Sequence, residues 1–209
     1  AGELGELIGH ADIDQVYAAL NNNITASFRR ALSQSFYMHA DVFAAGVEGA
    51  ASDLGYPLSP ADARAFAERT ALHTLQDIEP RPGMRDTLEK LRASGIHLGG
   101  VSNADVVQFD LMVKKLGVAD IFHSLLCSEE ARSCKPDSAI FFQALDRAGC
   151  RPEETLFIGD TPNMDIIGAE AVGMRGVLIE ETTDIAIDRG SADGVQTTIR
   201  ELPELLDFI

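Results

Sequence analysis

The sequence predicts an α/β fold: a doubly wound parallel sheet preceded by a bundle of α-helices. Three observations predict it. Up to residue 78 the apolar residues recur almost only at helical spacing, with no strand signal among them. From Gly83 onward, short apolar runs alternate with helices of about ten residues, the pattern of parallel βαβ units. Between the two lies Glu79-Pro80-Arg81-Pro82-Gly83, where two prolines and a glycine break any regular element. Residues 11–78 are therefore expected to form one domain and residues 79–209 another.

In the first part, helices are expected over residues 12–20, 24–35, 40–54 and 60–75. Ser59 can cap the last of these, with Pro60 at its first position. In the second part, a helix over 84–93 stops at Gly95, and an apolar run over 96–101 stops at Ser102-Asn103. A helix over 105–116 ends at Gly117 and is followed by an apolar run over 121–127. The helix over 138–148 closes at Gly149, and the run over 155–159 stops at Asp160. The helix over 164–172 closes at Gly173, before a fourth run over 176–179. Apolar runs without alternation suit strands covered on both faces, and the crossovers between them are right-handed. The expected core is thus a Rossmann-like doubly wound parallel sheet, with an α-helical bundle as cap.

Composition narrows the function. The 209 residues carry 17 Lys+Arg against 33 Asp+Glu, a net charge of −16. Such a balance argues against nucleic acid and anionic membrane as partners, because both select clustered cations. No apolar run approaches the ~20 residues that span a bilayer, and no secretory leader is visible. Cys127, Cys134 and Cys150 lack CxxC spacing, so reduced cysteines and a cytoplasmic setting are expected.

Ligands of open α/β sheets bind at the carboxyl ends of the strands, so the polar residues that end the apolar runs are the candidates. Ser102 and Asn103 end one run just before a helix, where a hydroxyl and backbone N–H groups can hold an anion such as phosphate. A serine there also serves as an ordinary helix cap. Lys135 precedes Pro136, which restricts it to extended backbone and would aim its ammonium at the strand ends rather than into bulk water. Asp160 ends a buried strand, and Asp165 lies in the first turn of the next helix. Two carboxylates so placed can share a hard cation, and Mg²⁺ favours few protein carboxylates supplemented by phosphate oxygens and water. Asp165 alone would equally serve the helix dipole.

Taken in order, these motifs resemble those of the haloacid dehalogenase-like (HAD) hydrolase superfamily. Val101-Ser102-Asn103 is similar to its second motif, Lys135-Pro136-Asp137 to its third, and Gly159-Asp160 with Asp165 to its fourth. Residues 168–173, reading GAEAVG, and the terminal run 194–206 resemble segments that follow the fourth motif. The resemblance covers about residues 80–209, and the helical region matches in position a cap inserted between the first and second motifs. It implies a Mg²⁺-dependent phosphatase acting on a small phosphorylated metabolite through an aspartyl-phosphate. Asp160 and Asp165 would hold the metal, and Ser102 with the Asn103 amide would hold phosphate oxygens. Lys135 would pair with the nucleophile and the phosphoryl group, and the helical cap would select the substrate. The motifs leave substrate and oligomeric state undefined.

One family element has no match. The nucleophile motif, Asp-x-Asp-x-Thr/Val at the end of a buried strand, is not found before the helical region. Asp12-Ile13-Asp14 follows no apolar strand and suits the cap and first turn of a helix, where acids are favoured. Because the chain starts at Ala1, the expectation is that a central strand bearing the nucleophile lies upstream and that this chain alone is inactive. Two other readings stay open: a non-catalytic HAD-like binding protein, and a metal-independent 2-haloacid dehalogenase. Against the dehalogenase, that branch carries a Ser-Ser-Asn-type sequence where Gly159-Asp160-Thr161 stands, and a Gly at the position of Ala104.

Overall fold

The computed structural model describes residues 1–9, 12–180 and 195–208. It divides into two compact units, Ala1–Asp77 and Ile78–Ile209. The first unit is helical throughout: α1 (Gly2–Ile8), α2 (Ile13–Ala31), α3 (His39–Asp53) and α4 (Pro60–Gln76). Leu4, Val16, Val47, Ala50, Ala51, Ala63 and Phe66 form its core. Small residues let the helices approach closely. A Cβ on Gly46 of α3 would lie 2.8 Å from the Ile24 Cα of α2.

Two features of this unit differ from the sequence reading. Where helices over 12–20 and 24–35 were expected, a single helix spans Ile13–Ala31, because the Asn21-Asn22-Asn23 interruption is absorbed. The Asn23 amide donates to the Ala19 carbonyl at 3.0 Å and to the Asp53 carboxylate at 2.8 Å. Asparagine's competition with the backbone is thereby satisfied inside the helix and against α3. The other feature is α1, whose seven residues include two glycines and give little periodic signal. It forms because Leu4 and Ile8, one turn apart, bury into the same core.

The second unit alternates helix and strand. It runs α5 (Met84–Ala93), β1 (Gly99–Ser102), α6 (Val106–Leu116), β2 (Ser124–Cys127) and the single turn α7 (Ser128–Ala131). It continues with α8 (Ser138–Ala148), β3 (Leu156–Gly159), α9 (Ile167–Ala171), β4 (Arg175–Ile179) and β5 (Thr198–Ile199). All strand pairings are parallel: β1 with β2, β3 with β4, and β4 with β5. Helices intervene between parallel strands, so the unit has the expected α/β class. Among the described residues, β1 pairs with β2 alone, and β3 pairs with β4 alone. One apolar cluster joins Leu91 of α5 to Val177, Ile179 and Ile199, and another joins Ile140, Phe141 and Leu145 of α8 to Leu126 and Ala169.

Strand edges moved for local reasons. The run over 96–101 pairs only from Gly99, because the Leu98 N–H donates to His123 Nδ1 (3.0 Å) rather than to a backbone carbonyl. The run over 121–127 begins pairing at Ser124, since the Ile121 and Phe122 N–H groups close a turn on the Val118 carbonyl. The helix expected over 164–172 opens instead with a wide turn, Pro162–Ile166, in which Ile167 N–H reaches the Pro162 carbonyl. The terminal segment supplies β5, which the apolar pattern did not show. No described helix is long and apolar enough to cross a membrane.

Candidate active site

The carboxyl ends of β1 and β3 carry the candidate residues. Ser102 closes β1, Asn103 and Ala104 follow it, and α6 begins at Val106. Lys135 reaches this point from the loop before α8. Its ammonium lies 3.4 Å from the Val101 carbonyl, 2.6 Å from Asp165 Oδ1, and 5.5 Å from the centre of the Phe157 ring on β3. The side chains of Lys135 and Asp165 are only 12% and 5% exposed. A buried ion pair of this kind is costly to desolvate and very costly to break, so it marks a position rather than a gain in stability.

Asp165 is held on both sides. Its second oxygen accepts the Thr161 N–H at 2.9 Å, while its own N–H donates to the Thr161 carbonyl at 2.8 Å. The wide turn after Pro162 swings this carboxylate back over the end of β3. A Cβ on Gly159 would lie 2.3–2.5 Å from Asp165 side-chain atoms, so no larger residue fits before Asp160. Asp160 itself is half-buried at the strand end, with the Thr161 hydroxyl 3.4 Å from Oδ1. The structure thus brings Ser102, Asn103, Lys135, Asp160 and Asp165 into one unit at the carboxyl ends of β1 and β3, with the Lys135 ammonium reaching both the Val101 carbonyl and Asp165.

Asn103 acts here through its side chain. Its Oδ1 accepts the Lys135 N–H at 2.7 Å and its Nδ2 donates to the Lys135 carbonyl at 2.9 Å. This two-point pairing fixes the lysine backbone from 32 residues away. The serine loop is further committed elsewhere. Ala104 N–H donates to Ser128 Oγ (3.0 Å), and Val106 N–H to Glu129 Oε2 (2.7 Å). Among the described residues, the Ser102 hydroxyl and the Asn103 N–H make none of these bonds, and they are the donors of the loop proposed below to meet an anion.

Several of these residues escaped the sequence reading. Ser128 and Glu129 follow β2 directly, and the rule that singled out the ends of β1 and β3 would have found them there. Thr161 and Phe157 act through a backbone N–H and a ring face, which residue type does not signal. Elsewhere, Asp12 is a helix cap, as its sequence position suggested: its carboxylate accepts the Gln15 N–H at 3.1 Å. The three cysteines are free, and burial pushes the Cys127 thiol above its usual pKa. It is therefore a poor nucleophile.

Fold and site together define a class: an α/β domain that gathers a hydroxyl, an ammonium and two carboxylates at the ends of parallel strands. The chain belongs to the haloacid dehalogenase-like hydrolases, whose family model matches residues 12–179. It is 33% identical over 134 residues to a glyceraldehyde 3-phosphate phosphatase of Methanothermobacter thermautotrophicus, covering 62% of this chain and 59% of the relative. It is 30% identical over 155 residues to a ribulose-1,5-bisphosphate 5-phosphatase of Halopiger xanaduensis, covering 70% and 65%. Among solved structures, a HAD phosphatase of Thermococcus onnurineus aligns with TM-score 0.56 and 26% identity, over 76% of this chain and 83% of that one. A 2-haloacid dehalogenase of Pseudomonas syringae aligns with TM-score 0.62 and 25% identity, over 99% and 84%. The chain spans about three fifths of the length of the curated relatives it matches.

Proposed function

We propose that this chain forms the phosphate-holding part of a phosphatase for a small phosphorylated metabolite, with residues 79–209 as catalytic core and the helical region as substrate-selecting cap. The observation that carries the reading is the Lys135 ammonium, pinned by Asp165 and 3.4 Å from the carbonyl of Val101, the residue before Ser102 and Asn103. Together they offer one compact cation and two donors to a phosphoryl group, and phosphoryl transfer depends mainly on such positioning and charge neutralisation. The substrates named for the two phosphatase relatives are small sugar phosphates, which supports a substrate of that class. Three free cysteines support a cytoplasmic setting.

In this reading Ser102 and Asn103 orient two phosphoryl oxygens, and Lys135 balances charge as the group moves from substrate to an aspartate and then to water. That aspartate comes from outside the 209 residues. Among the described residues β1 and β3 each pair with one strand only, which is consistent with a further strand delivering it beside Lys135. Asp160 and Asp165 present hard oxygen donors suited to Mg²⁺, although the described residues include no cluster of three or more such ligands. Mg²⁺ would therefore take its remaining ligands from phosphate, water and the nucleophile, and when bound would offset negative charge there. Asp160 at the strand end would hold the ion with Asp165 in support, one Asp165 oxygen being shared with Lys135 and the other with the Thr161 N–H.

The test is phosphate release from small phosphate esters by the full gene product, with and without Mg²⁺. We expect Mg²⁺-dependent turnover that falls at least about a hundredfold in Asp160→Asn. Chloride release from 2-chloropropionate without metal would replace this reading with a dehalogenase. Absence of both activities would leave a binding protein.

A further inference from the structure

We propose that Ser128 and Glu129 are positioning residues that set the distance between the anion-holding donors of the serine loop and the Lys135 ammonium. The inference rests on the reading of this site as a phosphate site, and it concerns residues outside the motifs that carry that reading.

The two residues form a splint. Ser128 is fully buried, and its hydroxyl both accepts the Ala104 N–H (3.0 Å) and donates to the Ala104 carbonyl (3.1 Å). The Glu129 carboxylate accepts the Val106 N–H, the first free donor of α6, at 2.7 Å. Its own N–H points at the Ala104 carbonyl from 3.4 Å. The same short segment reaches toward the lysine: Ser133 N–H donates to the Ser128 carbonyl at 3.2 Å. Ser133 in turn anchors Asp137 (2.8 Å) and the Ile140 N–H (3.1 Å) at the start of α8. Together with the Asn103–Lys135 pairing, the serine loop is tied to the lysine loop at both of its ends.

Burial of the Ser128 hydroxyl makes this more than decoration: left unpaired in the interior it would be unfavourable, so the splint holds one geometry rather than several. Glu129 also gives the inference its sharpest test, since charge and geometry pull in opposite directions. A carboxylate beside an anion site weakens anion binding by repulsion. If Glu129 acted through charge, its removal would tighten phosphate binding. As a geometric acceptor, its removal loosens the loop and weakens binding.

The experiment compares Glu129→Gln, Glu129→Ala and Ser128→Ala in the full gene product. It reads KM for a small phosphate ester, Ki for inorganic phosphate, and the melting temperature. Gln keeps an oxygen that can accept the Val106 N–H, so Glu129→Gln is expected to hold KM and Ki at or below the wild-type values. Glu129→Ala and Ser128→Ala are expected to raise KM and Ki in parallel, by about fivefold to tenfold. Tighter phosphate binding in Glu129→Ala overturns the proposal, as does a loss confined to the fraction of folded protein. If the wild type releases no phosphate, direct titration with inorganic phosphate decides. Binding weakened in Glu129→Ala and kept in Glu129→Gln upholds the splint while the phosphatase reading falls, and no binding overturns both.

Discussion

The helical unit and the α/β unit bury their polar groups in different ways. In the helical unit the buried Ser27 hydroxyl serves Arg30 one turn away, and the Tyr37 hydroxyl is buried as well. The α/β unit buries Thr87, Asp105, Ser128, Ser133 and Asp165, and the last four flank the carboxyl ends of its strands. The helical unit satisfies its backbone locally and packs alanines and large aliphatic residues against one another. In the α/β unit, buried Ser128 and Asp165 also reach partners 24 and 30 residues away. Burying a polar group is unfavourable unless its partner is held in place, so such groups collect where a fixed geometry has a use.

The largest effect expected from this contrast is at Lys135. Lys135→Met leaves the Asp165 carboxylate buried without its cation, which costs about 4 kcal/mol. Urea unfolding of the α/β unit, followed together with phosphate binding, should show both losses. A loss below 1 kcal/mol would mean that the pair is solvated and the site looser than described. Next is Leu4→Ala in the helical unit, expected to cost about 3 kcal/mol through a cavity at a fully buried position. Its Ki for inorganic phosphate should match the wild type at temperatures where the unit stays folded. A changed Ki would break the separation between a packing unit and a binding unit.

The smallest expected effect is a pH dependence at the far end of β1. His97 stacks on His123 with ring centres 4.8 Å apart and bonds to the Ser124 hydroxyl. Burial, aided by repulsion from His123, pushes the His97 pKa below its ordinary value of 6.5. As pH falls past 6.5, the unfolded chain takes up the proton first, so stability declines until the lowered pKa is passed. Urea midpoints at pH 7, 6 and 5 should fall in the wild type and fall less in His97→Asn. Equal slopes would show that other groups govern the acid limb.

Much of this was legible in the residues. Gly95, Gly117, Gly149 and Gly173, placed at helix ends by pattern, all adopt positive φ there. Ser59 accepts the Asp62 N–H as the expected cap. Ser102, Lys135 and Asp160 stood out because a polar residue ending an apolar run is hard to explain by packing. The wide turn at Pro162 was not legible, since the same residues suit an ordinary helix start. Nor was the seamless α2, because the Asn21-Asn22-Asn23 stretch looks like a break until Asp53 is seen beside it.

The sequence by itself determined the periods, the caps, the stops and the chemical inventory of the site. These depend on residues within a turn or so of one another, where sterics and a single hydrogen bond decide the backbone. Only the tertiary structure decided which group each side chain serves. Asn103 turns to the Lys135 backbone, Asp165 divides itself between an ammonium and a peptide N–H, and Ser128 closes on Ala104. Each of these contacts joins loops or turns at the strand ends whose ordering entropy must be met elsewhere. It is the packing of the whole α/β core that meets it.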